Sequence, residues 1–179
     1  MTVAEIARRA AVSEATVFNY FPSKEDLIYS RMQSFEASLL AAVRERHFDQ
    51  SVLAAFRSYL LTRKGLLTEP DPAAQARLVA LTRIVANSPA LRARERQIYD
   101  EATQSLARLI AEEASFEAEA MEPWVIANAL TGVHRALVGY VRRRLLADAD
   151  TRTLARDVQT NTEKAFALLK QGLSRAYRS

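Results

Sequence analysis

Cysteine is absent from the 179-residue chain, and glycine and proline are scarce, with four and five copies. The lack of cysteine excludes disulfides and thiolate metal sites and suits a reducing compartment, so we expect a cytoplasmic protein. With few glycines and prolines to interrupt them, helices are favoured almost throughout. No run of 18 apolar residues occurs, so no membrane span is predicted. The net charge of +4 is too small to indicate a nucleic-acid partner by itself.

Residues with catalytic or metal-binding potential are few. His47 and His134 lie far apart in the sequence, and neither has a partner at metal-ligand spacing. There is no glycine-rich phosphate loop and no serine nucleophile elbow. Acidic pairs such as Asp100 and Glu101 are typical of solvated helix faces. We therefore predict no metal, no cofactor and no enzymatic activity.

Helix starts are easy to recognise in this sequence. Each is a Ser, Thr or Asp that can cap a helix, or a Pro at the first helical position. The predicted starts are Thr2, Ser13, Ser23, Asp49, Asp71, Ser88, Pro123 and Asp150. No segment alternates apolar and polar residues between turn signals, so no strand is predicted. The sequence therefore predicts an all-α protein, with two short helices before Pro22 and six longer ones after it.

The two short helices predict a helix-turn-helix. A tight turn at residues 11–12 separates them, and a small residue, Ala7, lies where they cross. At 100° per residue, Val17 and Phe21 share one side of the second helix and must face Ile6. The outer side then holds small, hydroxyl and amide groups, which can hydrogen-bond phosphates or base edges.

The stretch TVAEIARRAAVSEATVFNYFPSKEDL resembles the DNA-binding signature of the TetR/AcrR family of bacterial transcriptional regulators. The matching residues are Thr2, Ile6, Ala7, Ala10, Val12, Ser13, Thr16, Val17, Phe21, Lys24 and Leu27. This resemblance implies a dimeric, ligand-responsive regulator, most often a repressor, that binds a palindromic operator in double-stranded DNA. The residues expected to contact DNA are Thr2, Ser13, Ala15, Thr16, Phe18, Asn19, Tyr20 and Lys24.

Several features depart from the family pattern. Ala11 stands where glycine is usual, at a cost of roughly 1 kcal/mol if its backbone is left-handed. Phe18 replaces the usual Tyr and Tyr20 the usual His, which changes the expected operator more than DNA binding itself. The family's first helix is missing, and residues 1–47 carry six basic and six acidic residues. We therefore expect an upstream extension of roughly 15–30 residues with one helix and a basic arm. Without it, the rival interpretation is a helical ligand-binding or interaction protein that lacks DNA binding.

We expect two domains, a helix-turn-helix with its connecting helix at 1–46 and a helical ligand-binding and dimerisation domain at 47–179. Polar residues on the apolar helix after Pro123 suggest a pocket for a mostly apolar effector. The candidate effector-binding residues are Phe56, Tyr59, Tyr99, Thr103, Trp124, Asn128, Thr131 and Arg135. A core polar network or a dimer contact explains the same polar residues equally well. We expect the helix from Lys24 to about Arg46 to transmit the signal to the DNA.

Small residues at helical spacing on the helix after Pro123 would let another helix approach closely. The resemblance implies that this helix and the last one form the dimer interface, and packing within one chain is the alternative. The candidate interface residues are Gly132, Ala136, Gly139, Leu154, Val158, Ala165 and Leu169.

Overall fold

A computed structural model describes residues 2–62, 72–113, 116–117, 119–147 and 149–172 of the chain. Over these ranges it contains eight α-helices and no strand, so the all-α prediction is confirmed. Two short helices precede six longer ones, as the capping residues predicted. The helices are α1 Val3–Arg9, α2 Glu14–Tyr20, α3 Asp26–Arg44, α4 Val52–Thr62, α5 Pro72–Ala86, α6 Pro89–Glu113, α7 Glu122–Leu146 and α8 Thr151–Gln171. None of the helices in the described ranges is long and apolar enough to span a bilayer.

Capping side chains explain where most of these helices begin. Thr2 accepts a hydrogen bond from the Glu5 amide, and the Glu5 carboxylate accepts one from the Thr2 amide at 2.7 Å. This reciprocal pair satisfies two amides that α1 leaves without intrahelical partners. Ser13 caps α2 by accepting from the Thr16 amide at 3.0 Å, and Asp150 caps α8 in the same way.

The start of α4 differs from the prediction. The cap of α4 is Ser51, whose hydroxyl accepts a hydrogen bond from the Ala54 amide at 3.2 Å. Asp49 instead lies beside His47, with 2.5 Å between the carboxylate and Nδ1. Because α4 begins only at Val52, the side chain of Asp49 is too early in the chain to reach its first free amides. The predicted cap Asp71 lies outside the described residues.

The main core lies where α3, α4, α6, α7 and α8 meet. Val43, Phe56, Leu106 and Leu130 are almost completely buried there, and the ring centroids of Phe56 and Phe166 lie 6.2 Å apart. Removing such side chains from water contributes about 1.5–3 kcal/mol each, which makes this cluster the principal source of stability.

A second, smaller cluster fixes the first part of α3 against the α5–α6 corner. Tyr29 of α3 packs there with Val85, Leu91 and Ile98, and all four are buried. By contrast, α1 and α2 pack chiefly against each other. The helix-turn-helix is therefore held to the larger bundle through the start of α3.

Candidate functional site

The turn between α1 and α2 has the predicted geometry. Ala7 and Val17 are buried where the helices meet, while Ile6 and Phe21 are partly buried beside them. Ala11 has a φ of 54°, the left-handed region that glycine adopts without steric cost. The Val12 amide then donates to the carbonyl of Ala7 at 3.0 Å, which closes the turn.

The outer side of α2 exposes aromatic and amide groups. Phe18 is 50% exposed and Tyr20 77% exposed, and Ala15 and Asn19 are also exposed. The side chain of Lys24, just beyond α2, is 57% exposed and lies 3.8 Å from the Glu25 carboxylate. A helix of seven residues that leaves two aromatic rings in solvent presents an unusually large contact surface for a partner.

The hydroxyl groups at the starts of α1 and α2 already form hydrogen bonds within the protein. Thr2 and Ser13 act as caps, and the Ser13 hydroxyl also lies 2.8 Å from that of Thr16, which is half-buried. Each hydroxyl oxygen has two lone pairs and one hydrogen, so a further hydrogen bond remains possible at this edge. All eight predicted DNA contacts thus lie at or near the exposed end of the molecule formed by α1, α2 and the start of α3.

Polar bonds join the start of α3 to α6. Asp26 is buried, and its carboxylate accepts hydrogen bonds from the Ser23 hydroxyl at 2.7 Å and from Arg94 Nε at 2.8 Å. Burial alone would raise the pKa of Asp26, but these two partners together outweigh it and hold the pKa below its ordinary value. One turn later, the Tyr29 hydroxyl donates to the carbonyl of Leu91 at 3.0 Å. Any movement of the first turns of α6 therefore reaches α3 directly.

Residues 1–29 match a family model described as bacterial regulatory proteins of the tetR family. Over this segment the N-terminal helices are similar to those of TetR-family regulators. The match confirms the resemblance drawn from the sequence and supports a DNA-binding, helix-turn-helix transcriptional regulator. None of the curated proteins compared with this chain matches it.

Beyond these N-terminal helices, a cleft of about 280 Å³ opens between α6 and α7. It is lined by residues on facing sides of the two helices, namely Asp100, Thr103, Gln104, Trp124, Asn128, Thr131, Gly132 and Arg135. Five of the eight candidate effector residues are among them. Inside the cleft the hydroxyls of Thr103 and Thr131 lie 2.9 Å apart. The lining is mostly polar, which differs from the apolar pocket that the sequence led us to expect.

Three candidate effector residues do not line this cleft. Phe56 is completely buried against Phe166, and Tyr59 packs against the same core, because α4 lies on α3 and α8 rather than beside the cleft. Tyr99 is buried behind the cleft wall, with the Arg135 guanidinium 4.7 Å above its ring centroid. The Tyr99 hydroxyl has no hydrogen-bond partner within the described residues, and burial, the largest cause, raises its pKa well above the ordinary value.

Sequence reasoning missed Asp100, Gln104 and the role of Gly132 as cleft residues. Asp100, Thr103 and Gln104 share one side of α6 at spacings of three and four residues. This spacing could have identified them in the sequence as one polar surface. Asp100 had the pattern of a solvated helix face, and it is indeed exposed. What the sequence did not indicate is that α7 lies opposite.

A partly buried ion pair joins α7 to α6. Arg142 of α7 donates to both oxygens of Glu95, at 2.6 and 2.7 Å. Burial would lower the pKa of Arg142, but the hydrogen bonds to Glu95 outweigh it and keep the guanidinium charged. Tyr29 and Tyr99 lie within the electrostatic reach of this pair. Polar and charged groups thus occur along α6 from the cleft to the start of α3.

An apolar groove of about 510 Å³ runs between α7 and α8. Gly132, Ala136 and Ala165, three of the predicted interface residues, line it. A Cβ built on Gly132 would have no described atom within 4 Å, so this part of α7 is open. Val158 and Gly139 are half-buried and do not line the groove, and a Cβ on Gly139 would lie 3.4 Å from the Arg143 guanidinium.

Two of the predicted interface residues belong to packing within the chain. Leu154 has 0% of its surface exposed, so its side chain cannot reach a second copy. Leu169 packs against the main core. Both lie on the inner side of α8, because the apolar face of an amphipathic helix packs against the core of its own chain.

Proposed function

We propose that this protein is a dimeric transcriptional repressor that leaves its operator when a small molecule binds the cleft between α6 and α7. The observation that carries the proposal is the exposed outer side of α2, in a segment that matches a family of bacterial regulators. In this proposal residues 1–46 form the DNA-binding part and residues 47–179 the ligand-binding and dimerisation part, without enzymatic activity.

We assign different roles to the residues at the DNA end. Asn19 points away from the buried Val17, so its amide is placed for base edges in the major groove. Lys24 and the hydroxyls of Thr2 and Ser13 are assigned to phosphates, which position the protein without reading sequence. The remaining candidates supply apolar and hydroxyl contacts to the backbone and bases, and they are Ala15, Thr16, Phe18 and Tyr20.

The proposed dimer uses the apolar groove between α7 and α8. A palindromic operator requires two recognition helices about 34 Å apart, and a two-fold dimer provides that spacing. The groove and the exposed Leu168 of α8 supply an apolar surface that a second copy of the same chain can cover.

The structure favours α6 over the far end of α3 as the element that carries the signal. Asp100, Thr103 and Gln104 of α6 line the cleft, while Leu91 and Arg94 of the same helix bind the start of α3. A ligand that fits only one position of α6 would therefore shift the helix-turn-helix relative to its partner in the dimer. It can shift the equilibrium only by its difference in affinity for the two conformations.

Fluorescence anisotropy with operator DNA tests the DNA-binding part. Asn19→Ala should weaken operator binding by about 1–3 kcal/mol and leave random DNA almost unaffected. Lys24→Ala should weaken both and reduce the slope of log affinity against log salt by about one unit. Arg108→Ala, an exposed arginine on α6 that lines neither the cleft nor the groove, is the matched control and should change neither.

Two results would count against the proposal. Equal losses on operator and random DNA for Asn19→Ala would remove its base-reading role. A wild-type protein with no salt-dependent binding to any DNA would favour the rival function, a helical ligand-binding protein without DNA binding.

A further inference from the structure

The charged residues that line the described cleft are one acid and one base. Asp100 Oδ1 and Arg135 Nη2 lie 3.8 Å apart, which is longer than a hydrogen bond. Their side chains are 70% and 53% exposed. An exposed pair at this distance contributes little stability, roughly 0–1 kcal/mol, so each charge is available to a ligand of opposite sign.

The guanidinium of Arg135 is positioned chiefly by an aromatic ring. It lies 4.7 Å from the centroid of Tyr99, which is buried and neutral. A cation held over a ring face keeps its N–H groups directed outward. A carboxylate can therefore bind these N–H groups in the two-pronged geometry that Arg favours.

Two buried threonine hydroxyls offer the cleft acceptors rather than donors. The Thr103 hydroxyl donates to the carbonyl of Tyr99 and the Thr131 hydroxyl to that of Ala127, and the two hydroxyls also contact each other. Each hydroxyl has one hydrogen, and these contacts use both. Neither hydrogen is left for a ligand, whereas lone pairs remain. The Asn128 amide nitrogen donates one hydrogen to the Trp124 carbonyl at 2.8 Å, which leaves its oxygen as an acceptor beside one remaining N–H. Together with Asp100, these acceptors suit a ligand group rich in N–H donors.

The size and one wall of the cleft further restrict the ligand. At about 280 Å³ the cleft is slightly smaller than the usual range of small-molecule sites, about 300–1,000 Å³, so it suits a metabolite smaller than a typical drug. Trp124, the one tryptophan of the chain, is 47% exposed and lines the cleft. Its indole can stack against a flat ring or meet it edge to face.

We propose that the ligand of this cleft is a small aromatic zwitterion, with a carboxylate for Arg135, an ammonium for Asp100 and a ring against Trp124. A molecule with only one charge would leave the other member of the Asp100–Arg135 pair unmatched or facing a like charge. The inference rests on the proposed function in taking this cleft as the effector site, and it replaces the mostly apolar effector expected from the sequence.

The single tryptophan allows a direct test by fluorescence. Wild-type protein is titrated with L-phenylalanine, with 3-phenylpropanoate, which lacks the ammonium, with phenethylamine, which lacks the carboxylate, and with uncharged benzyl alcohol. L-Phenylalanine should change the Trp124 emission saturably. Each of the other three should bind at least about tenfold more weakly, because each loses a hydrogen bond to a charged group.

Variants assign the two charges. Arg135→Gln should weaken the binding of L-phenylalanine and 3-phenylpropanoate but not that of phenethylamine, whose ammonium no longer lies near a like charge, and Asp100→Asn should show the reverse pattern. Arg108→Gln, an exposed arginine of α6 that does not line the cleft, is the matched control. Circular dichroism verifies that the variants fold. If a variant does not fold, the comparison of the four ligands on wild-type protein still tests the inference.

The inference is overturned if L-phenylalanine gives no saturable change up to millimolar concentrations, or if any of the other three compounds binds as tightly. Operator binding is measured on the same protein without ligand. Normal operator binding with no L-phenylalanine response refutes the ligand class alone. A saturable response without operator binding refutes the proposed repressor and leaves the ligand class standing.

Discussion

Replacing Ala11 by glycine should stabilise the helix-turn-helix. With a φ of 54°, Ala11 holds its Cβ close to the backbone, which costs an L-residue roughly 1–2 kcal/mol. Glycine removes that cost. However, its greater conformational freedom in the unfolded chain lowers the free energy of unfolding by about 0.4–1 kcal/mol. The side chain of Ala11 is exposed, so no packing is lost. The expected net gain in the free energy of unfolding is about 0.5–1 kcal/mol.

The adjacent Ala10 provides a matched control. It is also exposed, but its φ of −85° is in the ordinary right-handed region, so Ala10→Gly relieves nothing. That variant should lose a few tenths to about 1 kcal/mol through chain entropy alone. Thermal unfolding followed by circular dichroism should move up by about 1–4 °C for Ala11→Gly and down for Ala10→Gly.

Hydrogen exchange of the α1 and α2 amides provides a local readout, since these helices pack chiefly against each other and can open without the larger bundle. Slower exchange in Ala11→Gly is expected. Faster exchange, or shifts of both variants in the same direction, would show that the left-handed turn is not a source of strain.

Three further predictions concern assembly, pH and coupling. Ala136→Glu should give a monomer in analytical ultracentrifugation and abolish operator binding, and a variant that remains dimeric would place the interface elsewhere. It is a sharper change than Gly139→Glu, whose carboxylate could pair with the nearby Arg143. Burial, and next the charge of Glu95, raise the pKa of Tyr29 to about 12 from 10.0, so the contribution of Tyr29 to the free energy of unfolding should be constant below pH 10 and fall between pH 10 and 12. In urea titrations Tyr29→Phe should reduce that fall, and an identical alkaline loss in the variant would contradict the assignment. Operator DNA should weaken effector binding by the same factor that effector weakens operator binding, and equal effector affinities with and without operator in calorimetry would exclude the mechanism.

The sequence predicted features that depend on neighbours along the chain. The caps at Thr2, Ser13 and Asp150 follow from side chains that reach amides three residues later, and the inner side of α2 follows from helical periodicity. The family pattern, with glycine at position 11, raised the possibility of a left-handed backbone there, and Ala11 has a φ of 54°. These are local consequences of residue type and spacing.

The cleft depended on which helices lie side by side, and that is not a local property. Phe56 has the size and polarity of a pocket residue. Because α4 packs on α3 and α8, its side chain is instead completely buried in the main core. Thr131 and Asn128 do line the cleft, and the sequence singled them out because polar residues on an apolar helix face need partners wherever that face packs. Asp100 was missed because an exposed carboxylate looks the same in a sequence whether it faces bulk water or a cleft.

At Gly132, α7 borders the cleft on one side and the apolar groove on the other. A side chain introduced there would have room, but it would alter the ligand site and the surface assigned to the second copy in a single step. Directed evolution toward a new inducer should therefore randomise Asp100 and Gln104, which line the cleft and not the groove. Keeping position 132 fixed would change the inducer specificity without changing the surface assigned to dimer assembly. The resulting biosensors would then differ in the molecule that they detect and would retain the ability to dimerise.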